Sequence, residues 1–121
     1  MATPDIIDVA TINGVLIAGA VSNSAHDIID VTAEHTFKVN VLAISNIHGT
    51  NDATISVSVS ADNGSNYYHL AKTVTVPADS TVYVITKDTS IYLDETDLLR
   101  VQESAADMLE YVASYETLND A

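Results

Sequence analysis

The chain has 121 residues, no cysteine, and seventeen acidic against four basic side chains, a formal charge of −13. This size holds one domain with a single core. The charge disfavours nucleic-acid phosphate and anionic lipid as partners, and the missing thiols exclude a disulfide framework, a thiolate metal site and a cysteine nucleophile.

Apolar residues make up 47% of the chain, with Val, Ile and Ala outweighing Leu and with Thr and Ser plentiful. β-Branched side chains suit a pleated surface and crowd a helix, so the composition favours strands. The N-terminal residues Met1–Asp5 lack the basic and apolar segments of a signal peptide, and the apolar run Val15–Val21 is too short to span a bilayer. Synthesis in the cytoplasm is the expectation.

In chain order, residues 1–12 are expected to form a flexible N-terminal arm, ended by a turn at Asn13-Gly14, where both residues tolerate positive φ. A strand Gly14–Ser22 follows, with Gly19 marking a bulge or a close backbone approach. A polar loop over Ser22–Asp27 leads to a short strand Ile28–Val31. His35–His48 is the longest candidate strand, with Phe37, Val39, Val41 and Ala43 forming one apolar row. At Leu42 and Ile44 the opposite face is apolar too, which implies cover on both sides by a strand, a loop or another subunit.

After a turn at Gly49–Asp52 comes the cleanest alternation, Ile55, Val57 and Val59 inward against Thr54, Ser56, Ser58 and Ser60 outward. Asp62–Ser65 closes a hairpin into a strand Tyr67–Val76, and Pro77–Ser80 turns again. Strands Thr81–Thr86 and Ser90–Leu93 flank a turn at Lys87–Thr89. The acidic turn Asp94-Glu95-Thr96-Asp97 is a corner between Ile91–Leu93 and Leu98–Glu103, since Asp and Thr bond their own backbone in turns. Met108–Glu116 reads as the last strand, although the Ala, Met, Leu and Glu of Glu103–Tyr111 also suit a short helix. Residues 117–121 read as a polar tail. About eight short strands separated by turns indicate an all-β fold, an antiparallel β-sandwich of Ig-like or jelly-roll-like kind, with a small closed barrel as the alternative.

Chemistry-bearing residues are scattered. His26, His35, His48 and His69 lie on different elements, without metal-ligand spacing. No Gly-x-Ser-x-Gly elbow and no glycine-rich phosphate loop occurs, and the chain has only four glycines. The turn Asp94–Asp97 is the best cation candidate, but it lacks the glycine and ligand alternation of an EF-hand loop, so a solvated corner is the expectation. Arg100, the sole arginine, is expected to pair with Asp94 or Asp97 and pin that corner. Tyr67 and Tyr68, beside a polar loop, offer an aromatic face to a sugar or to cross-strand packing. No catalytic residue, cofactor site or metal site is assigned.

The runs Ile55–Val59 (ISVSV), Tyr67–Leu70 (YYHL), Val74–Pro77 (VTVP), Ile91–Asp97 (IYLDETD), Leu99–Val101 (LRV) and Ser114–Glu116 (SYE) together resemble small virion structural proteins of tailed bacteriophages, including marine and cyanobacterial phages. In that group the acidic corner is carried by a pattern that here falls on Leu93, Asp97, Leu99, Arg100 and Val101. The resemblance spans a little over half the chain. It implies a non-enzymatic capsid decoration (cement) protein on the outer head surface, whose partners are the major capsid protein and further copies of itself. Neck, collar or tail proteins are the alternative partners, and a host-surface carbohydrate-binding module is the alternative from another class.

Overall fold

The computed structural model describes residues 9–31, 33–104 and 107–120. They form nine strands: β1 (Val9–Ala20), β2 (His26–Asp30), β3 (His35–Asn46), β4 (Ala53–Ser60), β5 (Tyr68–Val76), β6 (Thr81–Ile85), β7 (Ile91–Leu93), β8 (Leu98–Glu103) and β9 (Leu109–Asp120). One sheet runs β1-β9-β3-β6, with β7 sharing the outer edge of β3, and the other runs β2-β8-β4-β5. Every pairing is antiparallel. Leaving the three-residue β7 aside, first pairs with last, second with second-last, and so inward to the β4–β5 hairpin. This nested pairing across two sheets is the jelly-roll winding, and it selects the jelly-roll form of the expected β-sandwich.

The core lies between the sheets. Leu42 and Ile44 of β3, Ile55 and Val57 of β4, Leu99 and Val101 of β8, and Leu109 and Ala113 of β9 are all buried. Each large aliphatic side chain so placed contributes about 1.5–3 kcal/mol over an exposed one. Phe37 stacks on Tyr115 at 4.8 Å between ring centroids, filling the same layer.

Several expectations are corrected. Residues 9–12 belong to β1 rather than to an arm, and residues 1–8 lie outside the described residues. Asn13-Gly14 is not a turn: Asn13 pairs with Thr117 and Gly14 with Glu116 in mid-strand, because β9 supplies a full-length partner that overrides the local turn preference. The tail is likewise strand to Asp120, with Leu118 buried opposite Ile12 and Thr36. Gly19 does mark a close approach, since a Cβ there would lie 3.2 Å from the Tyr111 ring.

The apolar row of β3 switches faces. Its register against β9 steps from Val39–Tyr115 to Val41–Ser114, so a bulge at Asn40 turns the strand over. Phe37 and Val39 therefore point inward, but beyond the bulge Leu42 and Ile44 do so, while Val41 and Ala43 face outward. On β4, Ser58 and Ser60 are buried rather than solvated. The Ser60 hydroxyl donates to Asp62 Oδ1 (2.8 Å) and accepts the Gly64 N–H (2.8 Å), inside a hairpin loop where Asn63 and Gly64 both take positive φ. Hydrogen bonds from the Asn66 side chain and backbone, then from Ser60, hold the Asp62 carboxyl below its usual range.

Candidate functional site

Two outward surfaces carry what chemistry the fold exposes. On the second sheet, β2 pairs with β8 so that Asp27 lies beside Arg100. Arg100 Nε donates to Asp27 Oδ1 at 3.1 Å, and its guanidinium carbon lies 3.7 Å from the centre of the Tyr67 ring. The Tyr67 hydroxyl donates to the same Asp27 oxygen at 3.0 Å. Burial, followed by the hydrogen bond and charge of Asp27, pushes this phenol above its ordinary range, with Arg100 opposing. Arg100 thus ties β8 to β2 and to the β4–β5 hairpin. The expected pairing with Asp94 or Asp97 is replaced by one that only the β2–β8 register could reveal.

The acidic corner is fastened by backbone groups. Asp97 Oδ2 accepts the Asp94 N–H (2.8 Å), Asp94 Oδ1 accepts the Glu95 N–H (2.9 Å), and Glu95 Oε2 accepts the Glu34 N–H (2.8 Å). Two backbone bonds of 3.2 Å join Val31 to Thr96 and Asp97. The carboxylates therefore pin the β7–β8 turn to the β2–β3 connection. Among the described residues no group of three or more His, Asp or Glu is placed to hold a metal ion.

The histidines serve separate local roles. His48 Nδ1 accepts the Asn51 N–H at 2.9 Å, shaping the turn before β4, while His26 and His35 bond carbonyls two residues back. His69 lines a shallow cleft of about 300 Å³ on the second sheet with Thr54, Ser56, Lys72, Thr73 and Gln102. Tyr68, next to His69 in the chain, is 72% exposed, whereas Tyr67 is held by Arg100 and Asp27. Among the described residues no serine hydroxyl is hydrogen-bonded to a histidine ring as a nucleophile is to its base.

The first sheet presents a different surface. Ala18 of β1, Val112 of β9, Ala43 of β3 and Tyr83 of β6 are register neighbours and form one outward row across four strands. Leu16, Ser114 and Val41 form the next row. Leu16 is 69% exposed, Tyr83 62% and Val112 41%. Polar rows bound this stripe: Glu110, Ser45 and Thr81 on one side, Glu116 and Lys38 on the other. An apolar stripe with a polar rim is the usual form of a protein-contact surface. The sequence shows apolar residues on both faces at 41–44, but the bulge at Asn40 puts Val41 and Ala43, rather than Leu42 and Ile44, on this surface.

No protein-family model matches the chain, and no curated protein does. Among solved structures, the fold is similar to that of a protein from Bacillus endospore appendages, described as a novel family of disulfide-linked pili. The identity is 14% and the TM-score 0.52, over 92% of this chain and 88% of that one. A second similarity is to the CBM22-1 xylan-binding domain of Paenibacillus barcinonensis Xyn10C, at 10% identity and TM-score 0.32, over 93% and 84% of the two chains. The first of these likenesses establishes the architecture, an all-β sandwich.

Proposed function

We propose that the chain is a non-enzymatic structural subunit that packs its first sheet against protein neighbours in a larger assembly. The observation that carries this reading is the apolar stripe of Leu16, Ala18, Val41, Ala43, Tyr83 and Val112 on a chain of net charge −13. Leaving such a stripe in water is costly, and covering it with a matching protein surface removes that cost. The specific setting we propose, supported by the sequence resemblance, is the outer head surface of a tailed bacteriophage. There the chain serves as a decoration protein bound to the major capsid protein and to further copies of itself. A neck, collar or tail ring uses the same kind of contact with fewer copies.

The test is cosedimentation of purified, labelled chain with phage heads that lack it, comparing the wild type with Val112→Asp. Both side chains at this outward position leave the core untouched, so the variant keeps its far-ultraviolet spectrum and melting profile. Binding by the wild type and its loss in the folded variant supports the reading; equal binding, or none by either, counts against it.

The polar cleft and the exposed Tyr68 favour one further reading, a host-surface carbohydrate-binding module. Glycan-array binding abolished by Tyr68→Ala would sustain that reading in place of the first.

A further inference from the structure

The four sheet edges are not protected alike. β2 is five residues long, carries Asp27 and Asp30, and is irregular between Asp27 and Ile29. β5 bears Lys72, and its register against β4 shifts twice, with Thr73 at φ 48°. The far edge of β3 is divided between the five residues of β6 and the three of β7. Short strands, charges and bulges are the ordinary means by which an edge is kept from pairing with another chain.

β1 has none of them over most of its length. It runs for twelve residues without one charged side chain, and its register against β9 is unbroken from Thr11 to Ala20. Among the described residues only β9 pairs with it. Among the described residues its other edge thus presents a long row of backbone N–H and C=O groups ready to accept a strand.

We infer that β1 pairs antiparallel with β1 of a second copy, about a two-fold axis at Gly14. The register follows from the side chains. Among the residues of β1 whose side chains are described, Ile12 (62% exposed) and Leu16 are the large aliphatic groups turned to solvent, and they lie two residues either side of Gly14. With Gly14 opposite Gly14, Ile12 of each copy faces Leu16 of the other, and Asn13 faces Val15. Gly14 has no side chain, and the space over this face of the strand is open, since a Cβ built there meets nothing of its own chain within 4 Å. Such self-complementarity is what an isologous two-fold contact requires. The charge pattern points to the same occupant: a chain of −13 approaches its own copy best along a segment that bears no charge. Pairing in this way joins two five-stranded sheets into one and extends the apolar stripe, which deepens the structural-subunit reading.

The absence of cysteine makes the test direct. Antiparallel partners have Cα atoms roughly 4.5–5.5 Å apart, within disulfide range. Gly14→Cys is therefore expected to cross-link two copies rapidly under mild oxidation. Ala18→Cys, equally on β1, places its two thiols roughly 25 Å apart and is expected to stay uncross-linked. A charge-swap series checks the register: Ile12→Lys with Leu16→Glu in one chain sets opposite charges face to face and keeps the dimer. Ile12→Lys with Leu16→Lys sets like charges together and gives monomers by sedimentation. Added salt is expected to strengthen the wild-type dimer by screening the repulsion between copies.

Cross-linking of Gly14→Cys no faster than Ala18→Cys, or a wild-type chain that sediments as a 12.9 kDa monomer at all accessible concentrations, overturns the pairing. A chain that binds phage heads yet fails the cross-link loses the pairing and keeps the proposed function. A chain that cross-links at Gly14 but binds no head does the reverse.

Discussion

Glu103 offers the sharpest check on how the sandwich is held together. It ends β8 facing the core opposite Ile55, and is only 3% exposed. Its two carboxylate oxygens each accept one backbone N–H, from Met108 and from Leu109, both at 3.2 Å. The side chain thereby closes the connection into β9. Burial raises its affinity for a proton, the two N–H groups oppose that, and the charge of Asp107 adds to it, leaving the group above the unfolded value of 4.5. Between 4.5 and the folded value the native chain holds more protons than the unfolded one. The contribution of Glu103 to stability is thus fully present below the unfolded value and declines as pH rises through the folded one. The protonated acid keeps acceptor capacity on both oxygens, whereas a glutamine has a single acceptor oxygen and turns a donor NH2 toward the second buried N–H. Glu103→Gln is therefore expected to be less stable than the wild type in acid by about 1–3 kcal/mol, with the deficit narrowing as pH rises through the folded value. Glu103→Ala removes both acceptors and strands two buried N–H groups, a loss of about 2–4 kcal/mol. That corresponds to a fall of roughly 8–15 °C in melting temperature for a domain of this size. Urea melts of the wild type and both variants across the acid-to-neutral range provide the measurement, with the other carboxylates cancelling in the differences. A deficit of Glu103→Gln that widens as pH rises would refute the reasoning. So would a difference that does not move with pH.

Three further substitutions probe other joints. Asn46 is buried, donates from Nδ2 to the carbonyls of Asn51 (3.0 Å) and Val76 (2.9 Å), and accepts the His48 N–H (2.9 Å). Asn46→Ala is expected to cost about 2–4 kcal/mol in urea unfolding, and a loss under about 1 kcal/mol would contradict that role. Arg100→Ala removes one partly exposed ion pair and one cation–π contact, together about 1–2 kcal/mol, so it should cost less than Asn46→Ala in the same assay. Thr73 is a β-branched residue at φ 48°, and its N–H bond to Ser56 Oγ (3.0 Å) does not need its side chain. Thr73→Gly should therefore stabilise by about 0.5–1 kcal/mol, strain relief exceeding the added chain entropy, and a destabilisation would show the strain to be absent.

What the sequence disclosed was what local chemistry determines. Leu98–Glu103 matches β8 residue for residue because a turn precedes it and a polar segment follows, and the Ile55–Val57 alternation places β4 correctly. What it concealed depends on distant partners. Asn13-Gly14 has a turn's composition, yet β9, about a hundred residues on, holds it extended. Leu118 looks like part of a polar tail until Ile12 and Thr36 flank it. Arg100 has acidic neighbours close in sequence but takes Asp27, which only the β2–β8 pairing brings alongside. The apolar stripe lies between these cases. Two of its residues, Val41 and Ala43, fell within an apolar surplus at 41–44, but their face depends on a single bulge, and Leu16, Ala18, Tyr83 and Val112 join them only through the strand register.

The central claim, that the chain is a structural subunit of a phage particle, is tested most directly by mass-spectrometric copy number in gradient-purified virions, with a tagged chain located by negative-stain microscopy. Expected are on the order of hundreds of copies spread over the head, whereas about six to twelve at one vertex would assign it to a neck or tail ring. Its absence from the particles would contradict the claim.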